Sequence, residues 1–211
     1  LLFHQNLAFS SIQENRRLDV IENCYWPLLD LVGRKQIKIC IEATGWTLEE
    51  CARLDSTYIA KLRVLIEGGL VELVGSGYCQ IIGPLVPYRM NYENQRLGRV
   101  VYEDLLGVRP TSALVNEMAF SSGCLDAYDD TNYQKLFMDR DNVALAAGFN
   151  DKTSLTPYNY LSNSAGTKLK MIWTDSILFQ KFQRLAHGQM TFDEYIEDFQ
   201  SFLDKYDGPI P

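Results

Sequence analysis

Strand-like and helix-like segments alternate six times along this chain, and that alternation restricts its fold more than any other feature. Short apolar runs stand at Leu1-Leu2-Phe3, Gln36–Ile41, Leu70–Val74, Ala113-Leu114-Val115, Lys135–Met138 and Leu169–Trp173. Helical patterns lie between them. Leu18, Ile21, Tyr25, Leu28 and Val32 share one face, with Gly33 expected to stop the helix and Pro27 to kink or divide it. Thr47-Leu48-Glu49-Glu50 has the form of a capping box, Asp55 restarts the helix, and Gly68-Gly69 closes it. Residues 91–106 end at Gly107, a helix is expected just past Ser121-Ser122-Gly123, another covers residues 177–186, and Thr191-Phe192-Asp193-Glu194 opens the last. Strands separated in this way pair in parallel through right-handed crossovers. The expected fold is α/β, either a barrel or an open doubly wound sheet, in a single domain of residues 1–208.

The charge balance narrows the partners. The net charge is −7 and no basic cluster exceeds Arg16-Arg17, so nucleic acid and anionic membranes, which need a basic face, are not expected partners. Twelve Tyr and three Trp supply flat, hydrogen-bonding surface for core packing or for stacking on sugars. Five cysteines without a CxxC pair fit small core hydrophobes in a reducing, cytoplasmic setting. No apolar run reaches membrane-spanning length. Leu1 already lies inside a strand and Gly208-Pro209-Ile210-Pro211 reads as a linker, so the chain is expected to be a piece of a longer one.

In α/β proteins, ligands bind at the C-terminal ends of the parallel strands. The polar residues that follow each run are therefore the candidate site: His4 and Gln5; Glu42, Thr44 and Trp46; Ser76, Tyr78 and Gln80; Asn116 and Glu117; Asp139 and Asp141; and Asp175. Glu117 is the focus, because it ends the buried run Ala113–Val115 just before a polar helix start. The set is rich in carboxylates and holds one histidine. Glycoside cleavage needs such a set: one carboxylate attacks or stabilises the sugar carbon while another protonates the leaving oxygen. Zinc hydrolysis wants several His or Cys ligands, and His187, the second histidine, sits in a helical segment. A GxSxG elbow and a GxxxxGK[ST] loop are both absent. No metal or other cofactor is expected. Residues 148–166, rich in Asn, Ser, Thr and Gly, read as a long surface excursion.

These residues resemble glycoside hydrolase family 57. His4-Gln5-Asn6 is similar to the His-Gln-Pro that opens the family. Gly69–Tyr78 resembles its second motif, a Gly-x-x-Glu strand (here with Glu72) running into a Gly-rich turn and an aromatic. Asn116-Glu117 stands in the place of the third motif, whose Glu is the nucleophile, and Asp175 in that of the fourth, whose Asp is the general acid/base. The resemblance implies an incomplete (β/α)7 barrel of parallel strands with surrounding helices. It also implies retaining hydrolysis or transfer at α-glucosidic bonds of an oligo- or polysaccharide, with Glu117 and Asp175 catalytic. His4, Gln5, Glu42, Trp46, Glu72, Tyr78 and Asp139 are then the expected substrate-binding residues, and the partner is a carbohydrate together with a helical domain following the barrel in the same chain. A retaining pair stands about 5–5.5 Å apart. The sequence departs from the family at Asn6, where Pro is usual, and at Met118 and Ala119, where Arg and an aromatic are common. The alternatives are a metal-dependent polysaccharide deacetylase on a related barrel, and a carbohydrate-binding domain without catalysis.

Overall fold

The structure, a computed structural model, describes residues 1–8, 12–140 and 158–204. They fall into two compact units, Leu1–Leu136 with Ser162–Leu169, and Phe137–Leu161 with Lys170–Pro211. The first unit holds strands β1 (Leu2–Gln5), β2 (Ile39–Ala43), β3 (Val71–Gly75) and β4 (Ser112–Leu114), hydrogen-bonded in that order and all parallel. Strand β5 (Lys135–Asp139) starts in the first unit and ends in the second; β7 (Lys168–Thr174) and β6 (Tyr158–Ser162), which follow it in the order β5-β7-β6, likewise have residues in both. The fold class is the α/β one expected. One strand was not foreseen: β6 lies inside the stretch read as a surface excursion. Five residues join β6 to β7, far short of a parallel crossover, so that pair is antiparallel. Asp141 and residues 148–157 lie outside the described residues.

Helices fill the intervals. Helix α1 (Arg17–Val20) runs through a widened π turn, Ile21–Tyr25, into α2 (Trp26–Lys35). Pro27 therefore falls in the first turn of α2, where its missing N–H is harmless, and the widened turn absorbs what would otherwise be a break. The helix passes through Gly33 and stops at Gln36, which takes a left-handed conformation. Helix α3 (Gly45–Leu54) begins earlier than the Thr47–Glu50 box implies: Thr44 caps it, accepting the Thr47 N–H at 3.2 Å. Glu50 is instead ion-paired with Arg53 and Arg17 and is pushed down to about 2, by the Arg53 hydrogen bond and, against burial, by Arg17. Asp55 caps α4 (Ser56–Glu67), and Gly107, at φ 69°, closes α5 (Tyr88–Leu106). After β4 come a 3₁₀ turn and the short α6 (Leu125–Asp129). In the second unit Asp175 caps α7 (Ser176–Ala186), and the Thr191–Glu194 capping box opens α8 (Phe192–Leu203).

Side chains alternate across each strand, and the register decides what each face carries. Phe3, Ile39, Ile41, Ala43, Val71 and Leu73 pack against Leu29, Leu48, Leu62, Leu65 and Tyr102 from the helices. The opposite face of the same strands carries His4, aligned with Glu42 and Val74, and Leu2, aligned with Cys40 and Glu72.

Helix α5 fastens this layer to the strand ends through a polar face. Tyr102 is fully buried. Its hydroxyl faces the Ala43 and Gly77 carbonyls at 2.8 and 2.9 Å and accepts the Ser76 N–H at 3.1 Å. Asn94 accepts the Cys79 N–H at 2.7 Å and donates to the Cys79 carbonyl at 2.9 Å. Gly98 lets the helix approach, since a Cβ there would stand 2.5 Å from the Gly77 carbonyl carbon. Tyr102→Phe takes the hydroxyl away from the buried Ser76 N–H and the Ala43 carbonyl, while the Gly77 carbonyl still accepts the Gly45 N–H at 2.9 Å. Urea titration should show a loss of about 1–3 kcal/mol; a variant as stable as wild type would mean that the hydroxyl holds nothing together.

Candidate active site

At the ends of β1 and β2, in the first unit, His4 Nδ1–H donates to Glu42 Oε2. Glu42 is fully buried, whereas the His4 side chain is 44% exposed. The carboxylate thus fixes the ring and leaves Nε2 toward the open side. Burial depresses the His4 pKa, but the Glu42 hydrogen bond, the Glu42 charge and the Glu117 charge outweigh it, and the imidazole rises above 6.5. Glu42 Oε1 and Ser76 Oγ are buried and lack a hydrogen-bond partner.

The β3 tip is Ser76–Gln80, held on α5 by Asn94 and Tyr102 as described. Asn116 fastens the β4 tip to it, donating to the Ser76 carbonyl at 2.9 Å. The next residue, Glu117, takes φ 54° and ψ 15°, and Met118 takes φ 50°. Two successive non-glycine residues in the left-handed region are costly, and such strain concentrates at functional sites. The turn is stitched by Met118 N–H to Val115 O and Ala119 N–H to Asn116 O, both at 3.1 Å. It projects an exposed carboxylate, whose Oε1 accepts from Gln80 Nε2. His4, Glu42, Gln80 and Glu117 therefore form one polar group over the ends of β1–β4.

The remaining expected residues are placed differently. Gln5 points into the helix layer, 1% exposed, and accepts from Tyr58 OH at 2.7 Å; strand alternation puts it on the opposite face from His4. Trp46 is partly buried beneath the Arg17 guanidinium, 5.0 Å from its ring centroid. Tyr78 donates to Glu49 at 2.8 Å. Glu72 is exposed, one pleat below the tip, and accepts from Ser112 Oγ at 3.2 Å. In the second unit Asp139 and Arg140 are each 4% exposed. Asp175 accepts the Ile177 and Leu178 N–H groups, both at 3.0 Å, and Arg140 at 3.1 Å. Asp175 thus carries both the capping duty its sequence suits and an ion pair. Sequence reasoning missed Asn94, Gly98 and Tyr102. The signal was there: Asn94, Gly98 and Tyr102 follow one another at intervals of four in the middle of a long helix, where an apolar stripe would be usual.

The fold that carries this site has counterparts among known proteins. Glycosyl hydrolase family 57 matches residues 3–205. The chain belongs to that family. Among solved structures it is similar to the 4-alpha-glucanotransferase of Thermococcus litoralis, with 16% identity, a TM-score of 0.72, and coverage of 85% of this chain and 28% of that one. It is also similar to a family 57 branching enzyme of Thermococcus kodakaraensis solved with glucose, with 13% identity, a TM-score of 0.62, and coverage of 84% and 47%. A putative polysaccharide deacetylase of Mycobacterium smegmatis shares the fold more distantly, with 12% identity, a TM-score of 0.53, and coverage of 72% and 45%. At such identities the likeness shows the fold, the incomplete (β/α)7 barrel expected of the family. The chain spans less than half the length of each of these proteins. No curated protein sequence matches it. Among the described residues no three His, Cys, Asp or Glu side chains are grouped to hold a metal, and no helix is long and apolar enough to cross a membrane.

The His4 pKa carries a stability consequence with a definite sign. A group raised in the folded state stabilises fully below its unfolded pKa, about 6.5, and that contribution disappears as pH rises through the folded value. Denaturant unfolding of wild type and His4→Gln across pH 5–9 should show a difference that shrinks with rising pH; a difference constant over that range would contradict the assignment.

Proposed function

We propose that this family 57 chain is the barrel part of an enzyme that hydrolyses or transfers α-glucosidic bonds with retention, completed by a helical domain of the same protein. One observation carries the reading: Glu117 is held in a strained left-handed turn at the end of β4, with its carboxylate exposed beside His4 and Gln80. The names of the similar structures, an α-glucanotransferase and a branching enzyme, support the substrate class.

In this reading a Glu117 oxygen attacks the anomeric carbon as the glycosidic bond breaks, and Asp175 delivers its proton to the leaving oxygen. Water or a sugar hydroxyl then attacks the same carbon, gives its proton to Asp175, and releases Glu117. His4, oriented by Glu42 through Nδ1–H, meets a sugar hydroxyl at Nε2, accepting from it as the neutral ring and donating to it as the imidazolium. Gln5, Trp46 and Tyr78 support the strand ends from within the helix layer. The engagement of Asp175 by two backbone N–H groups and Arg140 favours a second reading, a carbohydrate-binding domain that has lost turnover.

The test uses the full-length protein and a panel of maltooligosaccharides. Glu117→Gln should lower turnover about 10³-fold or more, and mass spectrometry of wild type with a slow fluorosugar donor should find the label on Glu117. Asp175→Asn keeps a capping side chain but removes the charge that faces the buried Arg140, so stability should fall while the protein stays folded by circular dichroism, and turnover should fall about 10²–10⁴-fold. Equal turnover in wild type and Glu117→Gln would overturn the assignment; binding without turnover in every form would establish the second reading.

A further inference from the structure

The sequence departs from its family at Asn6, and the structure assigns that residue a task. We propose that Asn6 and Gln80 form a polarity-setting relay that holds the Glu117 carboxylate in its working orientation, both acting as positioning residues; this rests on Glu117 being the nucleophile.

The argument starts from backbone. Asn6 follows β1, and its Oδ1 accepts the Ala8 N–H at 3.1 Å. A backbone N–H can only donate, so it settles which end of the Asn6 amide is oxygen. Asn6 Nδ2 must then be the group facing Gln80, and it donates to Gln80 Oε1 at 2.7 Å. That contact in turn settles the Gln80 amide, whose Nε2–H is left to meet Glu117 Oε1. The direction of every hydrogen bond in the series Ala8, Asn6, Gln80, Glu117 is thus dictated by one main-chain donor.

The relay has a physical need to meet. The Glu117 side chain is exposed and its backbone is strained, so nothing in its own turn restricts the carboxylate. A glutamine amide can present either end, and the oxygen end would repel the carboxylate. Asn6 removes that ambiguity. The Gln80 backbone is steadied separately: its neighbour Cys79 is clamped at both N–H and carbonyl by Asn94. A proline at position 6 has no amide to offer, so this mode of orientation belongs to chains with a side-chain donor there.

Asn6→Asp is the informative variant, because it keeps size and the Oδ1 acceptor but turns the donor facing Gln80 into a second acceptor. Gln80 should then flip and turn its oxygen on Glu117. In the full-length protein, with an aryl α-maltoside as substrate, Asn6→Asp should lower kcat about ten- to a hundred-fold while KM stays within about twofold, and should be worse than Asn6→Ala. Adding Asn6→Asp to Gln80→Ala should have no further effect, since Asn6 acts only through Gln80. If Asn6→Ala equals or exceeds Asn6→Asp, or the two sites act additively, the relay is wrong. A second readout does not depend on turnover. In ¹⁵N spectra of side-chain amides, one Gln80 Nε2 proton should lie downfield, move upfield in Glu117→Gln, and shift in Asn6→Asp. A Gln80 resonance at its free position and indifferent to both substitutions overturns the relay whatever the activity. Normal relay signals with an active Glu117→Gln would instead discard the catalytic assignment of Glu117 and leave the hydrogen-bond series standing.

Discussion

The polar face of α5 is the constraint on which the first unit depends. Parallel strands end in backbone groups that no further ladder satisfies, and the loops leaving β2 and β3 must still be held in register. One buried phenol and one asparagine do this. Tyr102 reaches the Ala43 and Gly77 carbonyls and the Ser76 amide, Asn94 takes both polar groups of Cys79, and the Gly77–Gly98 approach brings the helix close enough for both. Because these bonds are shielded from water, losing one costs more than its net contribution. The loop that carries Gln80 is therefore as well placed as the strands themselves.

The strain at Glu117 is the complement of that order. A left-handed glutamate is unfavourable by itself, and it persists because Asn116 ties the β4 tip to Ser76 while Val115 and Asn116 carbonyls close the turn. The surrounding framework over-determines the turn, and the benefit is an acid delivered outward at the strand edge instead of folded back into the layer. His4 shows the same division of labour. Its partner Glu42 is fully buried, and the ring that Glu42 aims is exposed.

Much of the architecture was legible because it rests on local rules. Alternating Ile39 and Ile41 mark a strand, Asp55 and Thr191 open helices by capping chemistry, and Gly68-Gly69 and Gly107 close them. Local rules failed where a distant group competed. Glu50 looked like the return half of a capping box, but Arg17 and Arg53 claim it, and the helix starts a turn earlier at Thr44. Pro27 looked like a break, but the π turn before it keeps the helix running.

By itself the sequence determined the α/β class, the family, and the set of polar residues at the strand ends, because period, caps and motif order are properties of neighbouring residues. Only the tertiary structure decided which of those residues work together. His4 and Gln5 are adjacent in the chain, yet strand alternation sends one to the open face and the other to Tyr58. Asn6, Gln80 and Glu117 lie 74 and 37 residues apart, yet they join in one series of hydrogen bonds. Register and helix packing set those distances, and neither can be read from a residue and its neighbours, because both are settled by which buried surfaces and backbone groups find partners across the whole unit.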